Sequence, residues 1–284
     1  MHPSVFAQST PDKVALIFAE TGEKLTFREL EERSNQGAQL FRSLGLKTGD
    51  VIAIFMENNL RFLEICWAAQ RAGLYFTCIS SRLTAGEVEY IVKDSAAPLL
   101  LATPGIGKVA REAAQLLPGV KCFSVGGAIE GFMPYEDAAA KMPTTRIADE
   151  SAGTDMLYSS GTTGRPKGVR QPLQGLPIDA PNPLLFFVQG LFGFTPETVY
   201  LSPAPLYHAA PLRYCMTVHR GGGTVVVMEH FDAETALKRI EQYKASASQW
   251  VPTMFVKMLK LPEDVRKKYD VSTMKSAIHA AAPC

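Results

Sequence analysis

The chain has 284 residues, 46% of them hydrophobic and 20% charged, and 29 Lys and Arg against 28 Asp and Glu leave a net charge of +1. That balance excludes a dedicated electrostatic nucleic-acid binder, and the apolar content excludes intrinsic disorder as the main state. The length suits about two domains, and no apolar run approaches the roughly 20 residues of a membrane-spanning helix.

The first residues, Met1 to Lys13, lack the basic start and apolar core of a secretory signal, so the expected compartment is the cytoplasm. Val14 to Phe18 reads as a short strand. Thr26, followed three residues on by Glu29, is a capping box that opens a helix near Phe27, with Gly45 as its closing cap. Val51 to Met56 reads as a buried strand, Leu60 to Ala72 as a helix ended by Gly73, and Tyr75 to Ile79 as another strand. Thr84 and Glu87 form a second capping box for a helix reaching about Lys93. Leu99 to Ala102 and Val120 to Val125 read as strands around a helix from Lys108 to Leu117.

The polar stretch 143–153 reads as a linker. Beyond it, strands are expected over Asp155 to Tyr158, Val199 to Ser202, Thr224 to Met228, Ser248 to Val251 and Lys275 to His279. Helices are expected over Ala233 to Tyr243 and Thr253 to Leu259. Strands separated by helices need crossover connections. The pattern therefore predicts an α/β fold of mostly parallel sheets flanked by helices. It would form two subdomains, 1–142 and 154–284, joined by the linker. Five scattered cysteines (Cys66, Cys78, Cys122, Cys215 and Cys284) with no C-x-x-C pair suggest neither a disulfide framework nor a zinc ribbon.

One segment carries chemistry: Tyr158-Ser159-Ser160-Gly161-Thr162-Thr163-Gly164-Arg165-Pro166-Lys167-Gly168-Val169. Glycines allow close backbone approach and positive φ. Successive N–H groups can converge on an anion, hydroxyls add donors without bulk, and Lys167 adds a point charge. A polyphosphate clamp fits these residues, and so does an ordinary surface turn. The spacing is not that of a Walker A loop.

The whole string resembles the phosphate-binding signature of the adenylate-forming superfamily. Ala68 to Tyr75 and Ser81 to Thr84 resemble its acyl-CoA ligase branch. Pro205-Leu206-Tyr207-His208 is similar to that family's aromatic–histidine motif at the acyl site, and Val251-Pro252-Thr253 to the segment lining the acyl pocket. His279 to Pro283 resembles the start of the adenine-binding segment, with alanines where glycines are often found.

The resemblance implies an ATP-dependent ligase. A carboxylate displaces pyrophosphate to give an acyl-adenylate, and the thiol of CoA then displaces AMP. On this carry-over Ser159, Ser160, Gly161, Thr162, Thr163 and Gly164 hold the β- and γ-phosphates. Thr162 or Thr163 reaches Mg²⁺, Lys167 assists electrostatically, and Ala280, Ala281 and Ala282 border the adenine. His208 is the catalytic candidate, gating or orienting the carboxylate, and it lines the acyl side with Trp250, Val251, Pro252 and Thr253. Read without the resemblance, His208 and Trp250 are ordinary core residues. The expected partners are a fatty or other hydrophobic carboxylic acid, ATP and CoA, with a homodimer open.

The family's Tyr-Gly-x-Thr-Glu motif, ribose-binding Asp, hinge and C-terminal lysine find no match. The expectation is an N-terminal fragment with impaired turnover, or a module that binds ATP without catalysis. A second class rests on Gly105-Ile106-Gly107-Lys108-Val109-Ala110, a G-x-G-x-x-A string between a strand and a helix, as in nicotinamide-dinucleotide sites. No acidic residue ends the following strand, as ribose binding there would require.

Overall fold

Alternating strand and helix patterns resolve into two six-stranded sheets and a two-stranded hairpin in a computed structural model that describes residues 1–159 and 165–279. The chain divides into two compact units. One comprises Met1–Leu30, Asn58–Leu60 and Pro181–Cys284; the other comprises Glu31–Glu57 and Arg61–Ala180.

In the first unit the strand order is Ser276–His279, Ala247–Trp250, Val199–Ser202, Thr224–Val227, Val14–Phe18 and Lys24–Thr26. All neighbours run parallel except the last pair. Helix Ala233–Tyr243 buries Ala236 and Ile240 against Ile17, Leu201 and Val226. Its start is fixed by the Asp232 side chain, which accepts from the Thr235 N–H at 2.8 Å. Helix Ala209–Arg220 buries Leu212, Cys215 and His219. The His219 Nε2–H donates to the Ala15 carbonyl at 3.0 Å, and burial pushes the imidazole down to about 4. The ring is therefore neutral at pH 7, as a buried donor with one acceptor should be.

In the second unit six parallel strands run in the order Met133–Pro134, Lys121–Ser124, Leu99–Ala102, Val51–Phe55, Tyr75–Ile79 and Thr154–Asp155. Val51, Ala53 and Phe55 meet Val88, Ile91 and Ala110 of helices Ala85–Asp94 and Gly107–Gln115. The alternate residues Ile52 and Ile54 are fully buried as well. Cover on both faces is why this strand reads as a continuous apolar run.

A buried charge cluster ties this unit together. Arg71, at the end of helix Arg61–Arg71, is fully buried and forks onto both Glu31 carboxylate oxygens at 2.8 and 2.9 Å. Its Nε stands 3.1 Å from Glu150, and Nη1 donates to Ser34 and Asn35. Arg146 pairs with the same two glutamates. Gly73 follows at φ +64°, where a Cβ would stand 2.3 Å from the Ser151 Oγ. Only glycine meets both demands.

The units do not follow the boundaries expected from sequence. The strand Val14–Phe18 lies beside Thr224–Val227, and Thr154–Asp155 beside Tyr75–Phe76. The stretch 143–153 is not a free linker. Thr144 and Thr145 carbonyls accept from the Asn35 and Gln39 side chains at 2.8 and 2.9 Å, and Glu150 completes the Arg71 cluster. Hydrophobic periodicity reports which face of an element is buried, not which distant strand it pairs with.

The helices unassigned in the sequence include Ser4–Ser9, Tyr135–Ala139, Pro183–Phe192 and Ala209–Arg220. Pro183–Phe192 is apolar nearly all round and so has no stripe to detect. Its ends are legible: Asn182 caps it, Pro183 opens it and Gly193 closes it at φ +64°. Among the described residues no helix is long and apolar enough to cross a membrane. Cys66, Cys78, Cys122 and Cys215 are free thiols, three of them buried.

Candidate functional site

The two ends of the glycine- and hydroxyl-rich string pair with each other in the second unit. Strands Leu157–Ser159 and Lys167–Val169 run antiparallel, with Lys167 opposite Ser159 and Gly168 opposite Tyr158. The phosphate-binding candidates Ser160, Gly161, Thr162, Thr163 and Gly164 lie between these strands in sequence, outside the described residues.

The described flanks are packed and bonded by their neighbours. A Cβ on Gly168 would stand 2.8 Å from Met156 Cε and 2.9 Å from Tyr158 Cζ, so this glycine answers a need for space. The Tyr158 hydroxyl donates to Asp94 at 2.6 Å. Burial first, then Asp94, hold its phenol well above the ordinary range, so it stays a donor at every working pH. Tyr90 donates to the Pro166 carbonyl at 3.1 Å, and the Arg165 guanidinium lies 5.0 Å over the Tyr90 ring. Tyr90 and Asp94 sit one turn apart on helix Ala85–Asp94. Thr84 and Glu87 start that helix with reciprocal bonds, Glu87 accepting from the Thr84 N–H at 2.8 Å. Sequence reading singled out neither Tyr90 nor Asp94. Their i, i+4 spacing was the available signal. Lys167 is exposed at the head of the second hairpin strand.

The acyl-side candidates lie in the first unit, beyond the carboxyl ends of adjacent parallel strands. That is where ligands bind in open α/β sheets. Val199–Ser202 leads into Pro203 to His208, and Ala247–Trp250 beside it leads into Val251, Pro252 and Thr253. Ser276–His279 pairs with Ala247–Trp250, Trp250 opposite His279, and it leads toward Ala280, Ala281 and Ala282, which lie outside the described residues. Two expected segments thus leave the carboxyl ends of neighbouring strands in one sheet, and Ser276–His279 is the strand beside them.

His208 occupies the N-cap position of helix Ala209–Arg220 and makes no side-chain capping bond. It is exposed, with the Tyr207 ring 4.4 Å away, centroid to centroid. Pro252 opens helix Pro252–Leu259 and Thr253 is exposed. Trp250 is only 2% exposed, packed edge-on against Phe231 at 6.3 Å and tilted against Phe255 at 5.8 Å. Its ring is part of the core behind the segment.

The G-x-G string has a local packing explanation. Pro104–Ile106 is a 3₁₀ turn and Gly107–Gln115 a helix. A Cβ on Gly105 would stand 2.2 Å from a Glu57 carboxylate oxygen, which also accepts from Thr103 at 3.0 Å. The anion approaching this glycine is the chain's own. Among the described residues no three acidic, imidazole or thiol groups gather to hold a metal; the magnesium candidates Thr162 and Thr163 lie outside them.

Comparison with known proteins adds an independent line. A family described as AMP-binding enzyme matches residues 4–284. Acyl-CoA synthetase 7 of Caenorhabditis elegans is 31% identical over 98% of this chain and 54% of its own length. 4-coumarate–CoA ligase 5 of Oryza sativa subsp. japonica is 28% identical over 100% of this chain and 52% of its own. ATP-bound MatB from Rhodopseudomonas palustris superposes with a TM-score of 0.77 at 25% identity, covering 100% of this chain and 56% of that one. The chain spans about half the length of the curated relatives it matches.

Proposed function

The chain belongs to the AMP-binding enzyme family, and from that premise we propose that it carries the polyphosphate- and acyl-binding segments of an ATP-dependent acid–thiol ligase. The match over residues 4–284 carries this reading. The proposed substrates are ATP, a hydrophobic carboxylic acid and CoA.

The chemistry follows from leaving groups. A free carboxylate is a poor acyl donor because oxide would have to leave. Its oxygen instead attacks the α-phosphorus of ATP, and the bond to the β-phosphate breaks, releasing pyrophosphate. The thiol sulfur then attacks the acyl carbon, the acyl–phosphate bond breaks, and AMP departs with the electron pair. The thiol proton goes to solvent.

On this reading Ser159 to Gly164 hold the β- and γ-phosphates with backbone N–H groups and hydroxyls. Gly168, Tyr158 and Tyr90 keep the two hairpin strands in register. Lys167 neutralises phosphate charge. Magnesium bound with the nucleotide would spread that charge further, with Thr162 or Thr163 as ligand. His208 orients the carboxylate; it has no proton to remove from an acid already ionised at neutral pH. Val251 to Thr253 line the acyl group, Trp250 backs them, and Ala280 to Ala282 border the adenine.

The test is pyrophosphate release across a panel of fatty and aromatic acids, with and without CoA. Release that requires both ATP and an acid, with thioester formed only when CoA is present, supports the ligase. Nucleotide binding without any acid-dependent release supports a second reading, a non-catalytic ATP-binding module. No ATP binding at all would overturn both.

A further inference from the structure

We propose that Asn58 is the residue that positions the 203–208 turn, and with it His208. The amide is 5% exposed, and three bonds tie it to backbone of the first unit. Its Nδ2 donates to the Ala204 carbonyl at 3.0 Å and to the Met228 carbonyl at 2.8 Å. Its Oδ1 accepts from the Leu206 N–H at 2.8 Å. A flipped amide would set oxygen against two carbonyl oxygens, so the bonds fix its orientation.

These partners mark where a sheet ends. Val199–Ser202 and Thr224–Val227 are neighbouring parallel strands, and the Met228 N–H still donates to the Ser202 carbonyl at 3.0 Å. Beyond that bond the ladder stops. Pro203 and Pro205 bring no N–H of their own, so the stretch cannot extend it. One buried side chain then supplies two donors and one acceptor that water or a strand would otherwise provide. It binds the end of one strand to the turn leaving the other. Leu206 is fully buried at the centre of that clamp, and two residues later the chain exposes His208 at the head of helix Ala209–Arg220.

The consequence for carboxylate binding rests on the proposed ligase reading, in which His208 serves the acyl side. Asn58 touches no substrate there. It acts by holding the backbone that presents His208.

Two measurements decide the matter. In the wild-type chain, hydrogen exchange at the Leu206 amide is expected to be slow, as for the ladder amide of Val226. In Asn58→Ala it should rise at least tenfold while Val226 is unchanged. A Leu206 amide that exchanges freely in the wild type, or is unaffected by Asn58→Ala, overturns the clamp, and the wild-type measurement stands even if the variant fails to fold. In the pyrophosphate-release assay Asn58→Ala should raise KM for the carboxylate roughly tenfold with less than twofold change in KM for ATP. Asn58→Asp, which keeps the acceptor for Leu206 but sets a carboxylate oxygen against the Ala204 and Met228 carbonyls, should raise the carboxylate KM at least as far. Equal shifts in both constants, or none, would overturn the positioning role. An inactive wild type would instead end the ligase reading, and the exchange data would still decide the clamp.

Discussion

The two sheets solve the same burial problem with different polar chemistry. The second unit fastens its helices with ions: Arg71 on Glu31 and Glu150, and Glu64 on Arg61 at 2.8 Å and Arg33 at 3.8 Å. The first unit uses neutral groups on backbone carbonyls, with His219 bonded to Ala15 and Asn58 to Ala204 and Met228. Buried ions are costly when unpaired, so the ionic cluster fails abruptly when one member is lost. A neutral amide or imidazole fails by a hydrogen bond or two, or when pH forces a charge onto it.

Breaking the ionic side should have the largest effect. Arg71→Met leaves the Glu31 and Glu150 carboxylates facing each other with Arg146 alone, and is expected to cost about 3–5 kcal/mol. The urea midpoint measures it. Adding Glu31→Gln and Glu150→Gln should recover a good part of the loss, because the stranded charges go with them. Failure to recover would mean that Arg71 acts through its packing.

The neutral side should answer to acid. His219 titrates at 6.5 when unfolded and about 4 when folded, so its contribution is fully present above pH 6.5 and is lost as pH falls toward 4. Between those values the unfolded chain takes up a proton that the native state refuses. The expected loss relative to a His219→Gln variant is roughly 3 kcal/mol from pH 7 to pH 4. Glu64 slopes the other way. Burial raises its folded pKa above 4.5, so falling pH through that window favours the native state. Stability curves of wild type and His219→Gln that run parallel with pH would refute the neutral-histidine account.

Smaller effects sharpen the picture around the hairpin. Gly168→Ala forces Met156 or Tyr158 to move and should cost about 1–3 kcal/mol. It should also weaken ATP binding if the hairpin presents the phosphate loop. Thr84→Ala removes half of a capping box and should cost about 1 kcal/mol, read as faster exchange in helix Ala85–Asp94.

Much of this was legible in the sequence. Both capping boxes formed where Thr26–Glu29 and Thr84–Glu87 place them, with Glu29 accepting from the Thr26 N–H at 2.8 Å. Val14–Phe18, Tyr75–Ile79, Leu99–Ala102 and Ala233–Tyr243 carry the expected boundaries. Periodicity, caps and glycine stops are local, and local physics decides them. The string from Tyr158 to Val169 was legible as a chemical candidate, although Tyr90 and Asp94, which bond its described flanks, were not. Trp250 shows the limit in reverse, since position left core and pocket open and only packing shows the ring buried on Phe231 and Phe255.

What the sequence alone determined is the type and order of most elements and the α/β class, because each is written in neighbouring residues. Tertiary structure alone decided which strands meet: Val14–Phe18 with Thr224–Val227, and Thr154–Asp155 with Tyr75–Phe76. It also decided that Arg71, Glu31 and Glu150 share one buried cluster, and that Asn58 closes a turn some 150 residues further along the chain. The separation |i−j| = 148 between Asn58 and Leu206 leaves no periodic trace in a sequence, yet a buried amide must find its partners wherever the fold brings them.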